Sequence, residues 1–272
     1  FLICEFVLLI IPCLFPAWGL LTFPDAVNLN LVSNTEVSFL WYADQNDKDV
    51  AESISAVGGP FITDILVNNN NEVEQVNYHV VGSSTTNVCS SPIFDIIVYV
   101  NPTPIISPLN DTTFCVDDIV APINISGNVT NTDYNWTNNN ISTGLTQQSG
   151  YGNIPGFVAE NNTVNPLISN INITCSYTYF NKTCIGDELD YNITINPDPS
   201  VYPVTDLSIC NGIASSEINI SGNTPGATYS WSNSNTTIGL PGVGNGNIPI
   251  FIGTNSTLSS ILGTVSLTPS FT

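Results

Sequence analysis

The chain has 272 residues, with 22 acidic side chains against two basic ones and a net charge of −20. Nucleic-acid binding needs Lys and Arg to neutralise phosphates, and an anionic membrane repels so acidic a surface, so both partners are excluded. The 42% hydrophobic content suffices to bury cores and excludes a disordered tail.

In chain order, residues 1–24 form an apolar N-terminal segment in which Glu5 is the one charged residue. Its run from Phe6 to Ile11 is too short to span a bilayer, and Pro12 and Pro16 break a helix. Two readings stand: the first strand of the adjoining repeat, or a signal or anchor remnant with Ala17-Trp-Gly19 as a passable cleavage site.

The rest of the chain repeats itself. Cys115, Ile123-Asn-Ile-Ser-Gly127, Tyr134-Asn-Trp136, Gly144-Leu145 and Gly150-Tyr-Gly-Asn-Ile-Pro155 return as Cys210, Ile218-Asn-Ile-Ser-Gly222, Tyr229-Ser-Trp231, Gly239-Leu240 and Gly244-Asn-Gly-Asn-Ile-Pro249. The interval is 95 residues up to Leu240 and 94 after a one-residue deletion. A worn copy precedes them, with Phe39-Leu-Trp41, Cys89 and Val98-Tyr-Val-Asn-Pro102 at the same 95-residue interval from Tyr134-Asn-Trp136, Cys184 and Ile193-Thr-Ile-Asn-Pro197. Periodicity at domain length predicts tandem domains: a divergent repeat over 25–101, a second over 102–197, and a third over 198–272 that stops before its last strand.

Each repeat reads as strands. Ile171, Ile173, Cys175, Tyr177 and Tyr179 alternate with Asn172, Thr174, Ser176 and Thr178, the period-2 pattern of a half-buried strand. β-branched residues and Gly/Asn/Pro turns dominate and nothing gathers at helical spacing. The expected fold is all-β: immunoglobulin-like sandwiches of about seven strands each, arranged end to end. Trp41, Trp136 and Trp231 recur in every copy and are expected to plug the cores. Asn101-Pro-Thr-Pro104 and Asn196-Pro-Asp-Pro199 close successive repeats, because Pro ends strand pairing and stiffens the connection.

Seven cysteines point to an oxidising compartment. Cys115 and Cys184, at the two ends of repeat two, are expected to pair, closing a loop worth about 4 kcal/mol in the chain-entropy model. The partner of Cys210 would fall beyond residue 272, and Cys13 is the candidate partner of Cys89, with the pairing of Cys4 open. Cys175 reads as a buried thiol. A Cys115–Cys184 bond would bring Asp117 and Asp118 to Asp187 and Glu188, four carboxylates able to hold Ca²⁺ or merely to form a solvated acidic rim. No other cofactor is expected. His79 is the single histidine with no nucleophile identifiable beside it, and the Gly-x-Gly turns lack the Lys and helix of a phosphate loop. An enzyme is not expected.

The Tyr-x-Trp, Gly-Leu, Gly-x-Gly-Asn-Ile-Pro-x-Phe and Asn-Pro-x-Pro elements together resemble the PKD-like repeats of Bacteroidetes cell-surface proteins. Those repeats occur in very long adhesins, similar to the gliding-motility adhesin exported by type IX secretion. The resemblance covers 102–272 closely and 25–101 more loosely, where Gly-x-Gly-Asn-Ile-Pro is reduced to Val57-Gly-Gly-Pro-Phe61. It implies an extracellular, non-enzymatic array that extends an adhesive region at the cell surface. Its implied partners are neighbouring repeats and, during export, the type IX machinery. Two other functions fit the residues: a filament subunit that self-associates by strand donation, and a carbohydrate-binding module using Tyr42 or Tyr151 on a surface glycan.

Overall fold

The computed structural model describes residues 8–12, 25–33, 37–44, 50–51, 57–84 and 90–272. Among them the protein is all-β, interrupted by two 3-10 turns at Ile141–Thr143 and Thr236–Ile238. Cys4, Cys13 and Cys89 lie outside the described residues. Two compact units divide the chain: Phe1–Ser107 with Ser126–Tyr134 and Thr174–Glu188, and Pro108–Ile125 with Asn135–Ile173 and Leu189–Thr272.

The first unit opens with strands β1 (Leu8–Pro12), β2 (Asp25–Ser33), β3 (Val37–Ala43), β4 (Val50–Ala51), β5 (Val57–Gly58), β6 (Phe61–Asn68), β7 (Glu74–Ser84) and β8 (Phe94–Val100). They build two four-stranded sheets, β1–β2–β6–β4 and β5–β3–β7–β8. Both sheets feed one core: Leu31, Ile62 and Leu66 from the first meet Trp41, Tyr78 and Ile96 from the second. Trp41 and Tyr78 meet edge to face, with ring centroids 5.9 Å apart, the arrangement aromatic quadrupoles favour. Along β7, Val76, Tyr78 and Val80 are buried while Asn77, His79 and Val81 occupy the alternate positions. That alternation sets His79 on the outer face.

Next in the chain come β9 (Thr112–Cys115), β10 (Ile119–Val120), β11 (Asp133–Asn138), β12 (Ser149–Tyr151), β13 (Phe157–Val158), β14 (Leu167–Tyr179), β15 (Lys182–Ile185) and β16 (Leu189–Asn196). The sheet order among them is β12–β11–β14–β16–β9, with β9 parallel to β16 and β14 antiparallel to it. Ile171 and Ile173 on β14 and Ile193 and Ile195 on β16 are fully buried. The buried Tyr191 hydroxyl pairs with Thr112 Oγ1 at 2.7 Å, which ties the parallel edge strand to the sheet. Strands β17 (Thr228–Asn233), β18 (Val243–Asn245) and β19 (Val265–Ser270) make a three-stranded sheet, β18–β17–β19, over Ile220, Trp231, Leu240 and Ile248.

The repeated motif has a repeated physical cause. Trp136 lies opposite Gly150 and Trp231 opposite Gly244, each indole lying across the bare glycine. Asn138 and Asn233, two residues past each Trp on the same face, are buried and lace the adjoining turn. Asn138 Nδ2 donates to the carbonyls of Leu145 and Gln147, and Asn233 Nδ2 to those of Leu240 and Pro241. Gly144 and Gly239 both adopt φ +97°, and a side chain there would collide with the backbone carbonyl of Val158 or Ile252. That is why Gly-Leu recurs.

Four of the Asn-x-Ser/Thr tripeptides, at Asn140, Asn161, Asn235 and Asn255, are turns. Asn161, Asn235 and Asn255 each accept, through Oδ1, the backbone N–H and hydroxyl of the Thr two residues on. Asn140 accepts from Ser142 N in the same way. A side-chain carbonyl standing in for a backbone one is a local folding device.

Candidate functional site

Two arrangements of polar and aromatic side chains stand out, both built from residues of the first unit. One joins the end of β8 to the residues beyond it. Strand pairing stops at Val100, before Asn101-Pro-Thr-Pro104, and resumes at the Ile106–Gly127 bridge. Asn128 organises this return: its Oδ1 accepts Ile105 N at 2.7 Å, and its Nδ2 donates to Asn71 Oδ1 at 2.7 Å. Gly127 is needed there, because a Cβ would fall 2.3 Å from the Ile105 carbonyl oxygen and 2.5 Å from the Tyr134 hydroxyl. Asn101 Nδ2 donates to the carbonyls of Tyr179 and Lys182 at 3.3 and 3.0 Å, gripping the β14–β15 turn. In that turn Phe180 and Asn181 adopt positive φ. Tyr99 stacks on Phe180 at 5.0 Å and meets Tyr179 edge-on at 5.9 Å. The thiol of Cys175 donates to the Pro104 carbonyl at 3.5 Å, and burial pushes its pKa up.

The second unit repeats the return. Ser200 N donates to Asn223 Oδ1 at 2.7 Å, and Val201 bridges to Gly222, where a Cβ would lie 1.8 Å from the Ser200 carbonyl oxygen. These are the Ile105, Asn128, Ile106 and Gly127 positions displaced by 95 residues. Sequence reasoning singled out Asn-Pro-x-Pro here and missed the Asn after Ser-Gly. The signal was present, since Ser-Gly-Asn occurs at the same place in both copies.

The other arrangement surrounds His79. Its Nδ1 lies 2.6 Å from Asp95 Oδ1 and its Nε2 3.1 Å from Asp44 Oδ1. Tyr42 lies beside the ring, with centroids 4.9 Å apart. A general base needs a nitrogen free to take a proton from a nucleophile. Here both nitrogens face carboxylates, so the arrangement does not supply one.

The residues singled out in the sequence as core, cross-link or binding candidates differ in burial. Trp41, Trp136 and Trp231 are 3, 3 and 5% exposed. Cys115 and Cys184 are not bonded: Cys115 is an exposed free thiol opposite Asn196, and Cys184 is buried opposite Tyr177. Among the described residues no group of three or more His, Cys, Asp or Glu side chains is arranged to hold a metal. Asp118 instead accepts Cys115 N at 2.8 Å through Oδ2 and shapes the turn, with Asp117 at φ +69°. Gly212 takes the Asp117 position in the next copy, also at positive φ, so this place selects for turn geometry. Asp187 and Glu188 are exposed. Tyr42 is 39% and Tyr151 88% exposed.

A PKD-like domain family matches residues 24–104. These are the residues in which the repeated motif is most worn. No curated protein matches the chain. Similar solved structures include the I-band fragment I67-I69 from titin, at 9% identity and TM-score 0.38, covering 86% of this chain and 84% of that chain. The FN1-FN3 domains of chicken CNTN1 align at 12% identity and TM-score 0.28, over 89% of this chain and 83% of that one. The human desmocollin-1 ectodomain aligns at 10% identity and TM-score 0.28, over 89% and 54%. Likenesses of this size carry no functional argument.

Proposed function

We propose that the chain is a non-enzymatic extracellular repeat protein, a segment of a long cell-surface adhesin or stalk that extends and presents an adhesive region. The PKD-like match over residues 24–104 supports a repeat-type module. The observation that carries the reading is the recurrence of the same return, Ile105 N to Asn128 and Ser200 N to Asn223, at a domain-length interval. Such a connection repeats only if successive modules are joined in the same way, and stiff, repeated joints set length. Extracellular placement and export by the type IX route rest on the sequence resemblance to Bacteroidetes surface adhesins, as do gliding and attachment.

Small-angle X-ray scattering of the whole chain tests the reading. A single compact body of 272 residues has a radius of gyration of about 19 Å. Three modules in line, each about as long as the 13-residue β14 at ~3.3 Å per residue, give roughly 35 Å. A value near the compact figure overturns the stalk.

A further inference from the structure

His79 is the one histidine of the chain, and its two contacts cannot both be satisfied by a neutral ring. Neutral imidazole has one donor nitrogen and one acceptor, whereas an ionised carboxylate only accepts. With Asp95 Oδ1 at 2.6 Å from Nδ1 and Asp44 Oδ1 at 3.1 Å from Nε2, both nitrogens donate only when the ring holds two protons. The register makes this a tie across strands: His79 on β7 lies opposite Tyr42 on β3 and opposite Asp95 on β8, and Asp44 directly follows β3. Tyr42 covers the ring at 4.9 Å with a 35° tilt, a placement that favours a cation.

We propose that a proton held on His79 clasps β3, β7 and β8 together, so that pH sets the stability of this module and alkaline medium loosens it. The titratable groups facing the ring are Tyr42 and Asp44 from the β3 side and Asp95 from β8. On β7 itself the neighbour is Asn77, uncharged, whose Nδ2 donates to Asp44 Oδ2 at 3.5 Å. The hydrogen bond that His79 donates to Asp95 is the largest influence and raises the His79 pKa above 6.5; burial opposes it, and Asp44 adds to the rise. A folded-state pKa raised above the unfolded value gives stability that is complete below pH 6.5 and disappears as pH climbs through the folded value. Above that value one nitrogen presents a lone pair to a carboxylate, and the contact turns repulsive.

NMR titration of the full chain reads the site directly, because one histidine gives one imidazole curve. The expected midpoint lies above 6.5, and Asp95→Asn, which keeps the shape and removes the charge, moves it down. Thermal unfolding of the parent should weaken from about pH 6 to about pH 9, and His79→Gln should lose that dependence. A midpoint at or below 6.5 that Asp95→Asn leaves in place overturns the clasp, as does an alkaline loss of stability that His79→Gln retains. If His79→Gln does not fold, the titrations of the parent and of Asp95→Asn decide the matter alone.

Discussion

Gly150 and Trp136 face each other across β12 and β11, and a Cβ at Gly150 would lie 2.3 Å from Trp136 Cζ2. Gly244 and Trp231 reproduce the pair at 2.1 Å. Glycine weakens a strand because it has no side chain to pack. The indole of the neighbouring strand fills that gap, and each residue makes the other tolerable.

Gly150→Ala should therefore overpack the site and cost about 1–3 kcal/mol. Trp136→Ala should cost about 3–5 kcal/mol through the cavity left behind. Urea unfolding monitored by circular dichroism measures both. An unchanged midpoint for Gly150→Ala would mean that the indole swings aside without strain.

Asn138 is the second test of the motif. Besides its two donations, its Oδ1 accepts Asn140 N and the Ser169 hydroxyl. Asn138→Ala leaves those partners without it, at about 1–3 kcal/mol for each group left buried and unsatisfied. Asn138→Asp keeps the shape but sets a carboxylate against two carbonyls, and should be worse. If the aspartate variant matches wild type in a denaturant titration, the lacing of this turn contributes nothing to stability.

The joint after β8 should respond to Asn101→Ala and Phe180→Ala. The first frees the carbonyls of Tyr179 and Lys182; the second removes a stacked pair worth about 0.5–1.5 kcal/mol. Limited proteolysis should cut both variants faster than wild type between residues 101 and 107. Equal cutting rates would show that the prolines alone hold the connection.

Thiol labelling of the native protein separates the cysteines. Cys115 and Cys210 are exposed and free, while Cys175 is 1% exposed with its pKa raised by burial. Iodoacetamide should modify the first two promptly and Cys175 only on unfolding, since the thiolate is the reactive form. Peptide mapping that finds Cys115 protected would contradict the structure at that residue.

Asp111 gives a prediction on the acid side. Its carboxylate accepts both the backbone N–H and the side-chain amide of Asn192, which lower its pKa below 3.8. A depressed carboxylate pKa adds stability above the unfolded value, lost as pH falls through the folded one. Asp111→Asn should thus be less stable than wild type at neutral pH, with the difference closing in acid. A difference that stays constant from neutral pH to below 3.8 would remove the charge from the account.

Much of this architecture was legible from period-2 alternation, because burying one face of each strand is what β-branched and aromatic residues at every second position do. Ile171, Ile173, Ile193 and Ile195 lie buried as that pattern requires. What alternation cannot reveal is register. Asp44, His79 and Asp95 are scattered along the sequence and meet only because β3, β7 and β8 pair as they do. Nor does spacing reveal strand partners: Cys115 and Cys184 mark the ends of a repeat in sequence, and the ladders set Cys115 opposite Asn196 and Cys184 opposite Tyr177. Asn-x-Thr was countable but not interpretable until Asn161, Asn235 and Asn255 were seen bonding the Thr two places on.

That bonding has a chemical consequence at Asn161. Its Nδ2, which an oligosaccharyltransferase would have to modify, already donates to the carbonyls of Asn165 and Ile195 at 2.8 Å in a buried position. A sugar there would have to be attached before the chain folds and would then block the bend from forming. Production in a glycosylating secretory host should accordingly yield misassembled material, which Asn-to-Gln replacement would not rescue, since the shorter side chain is itself the hinge pin.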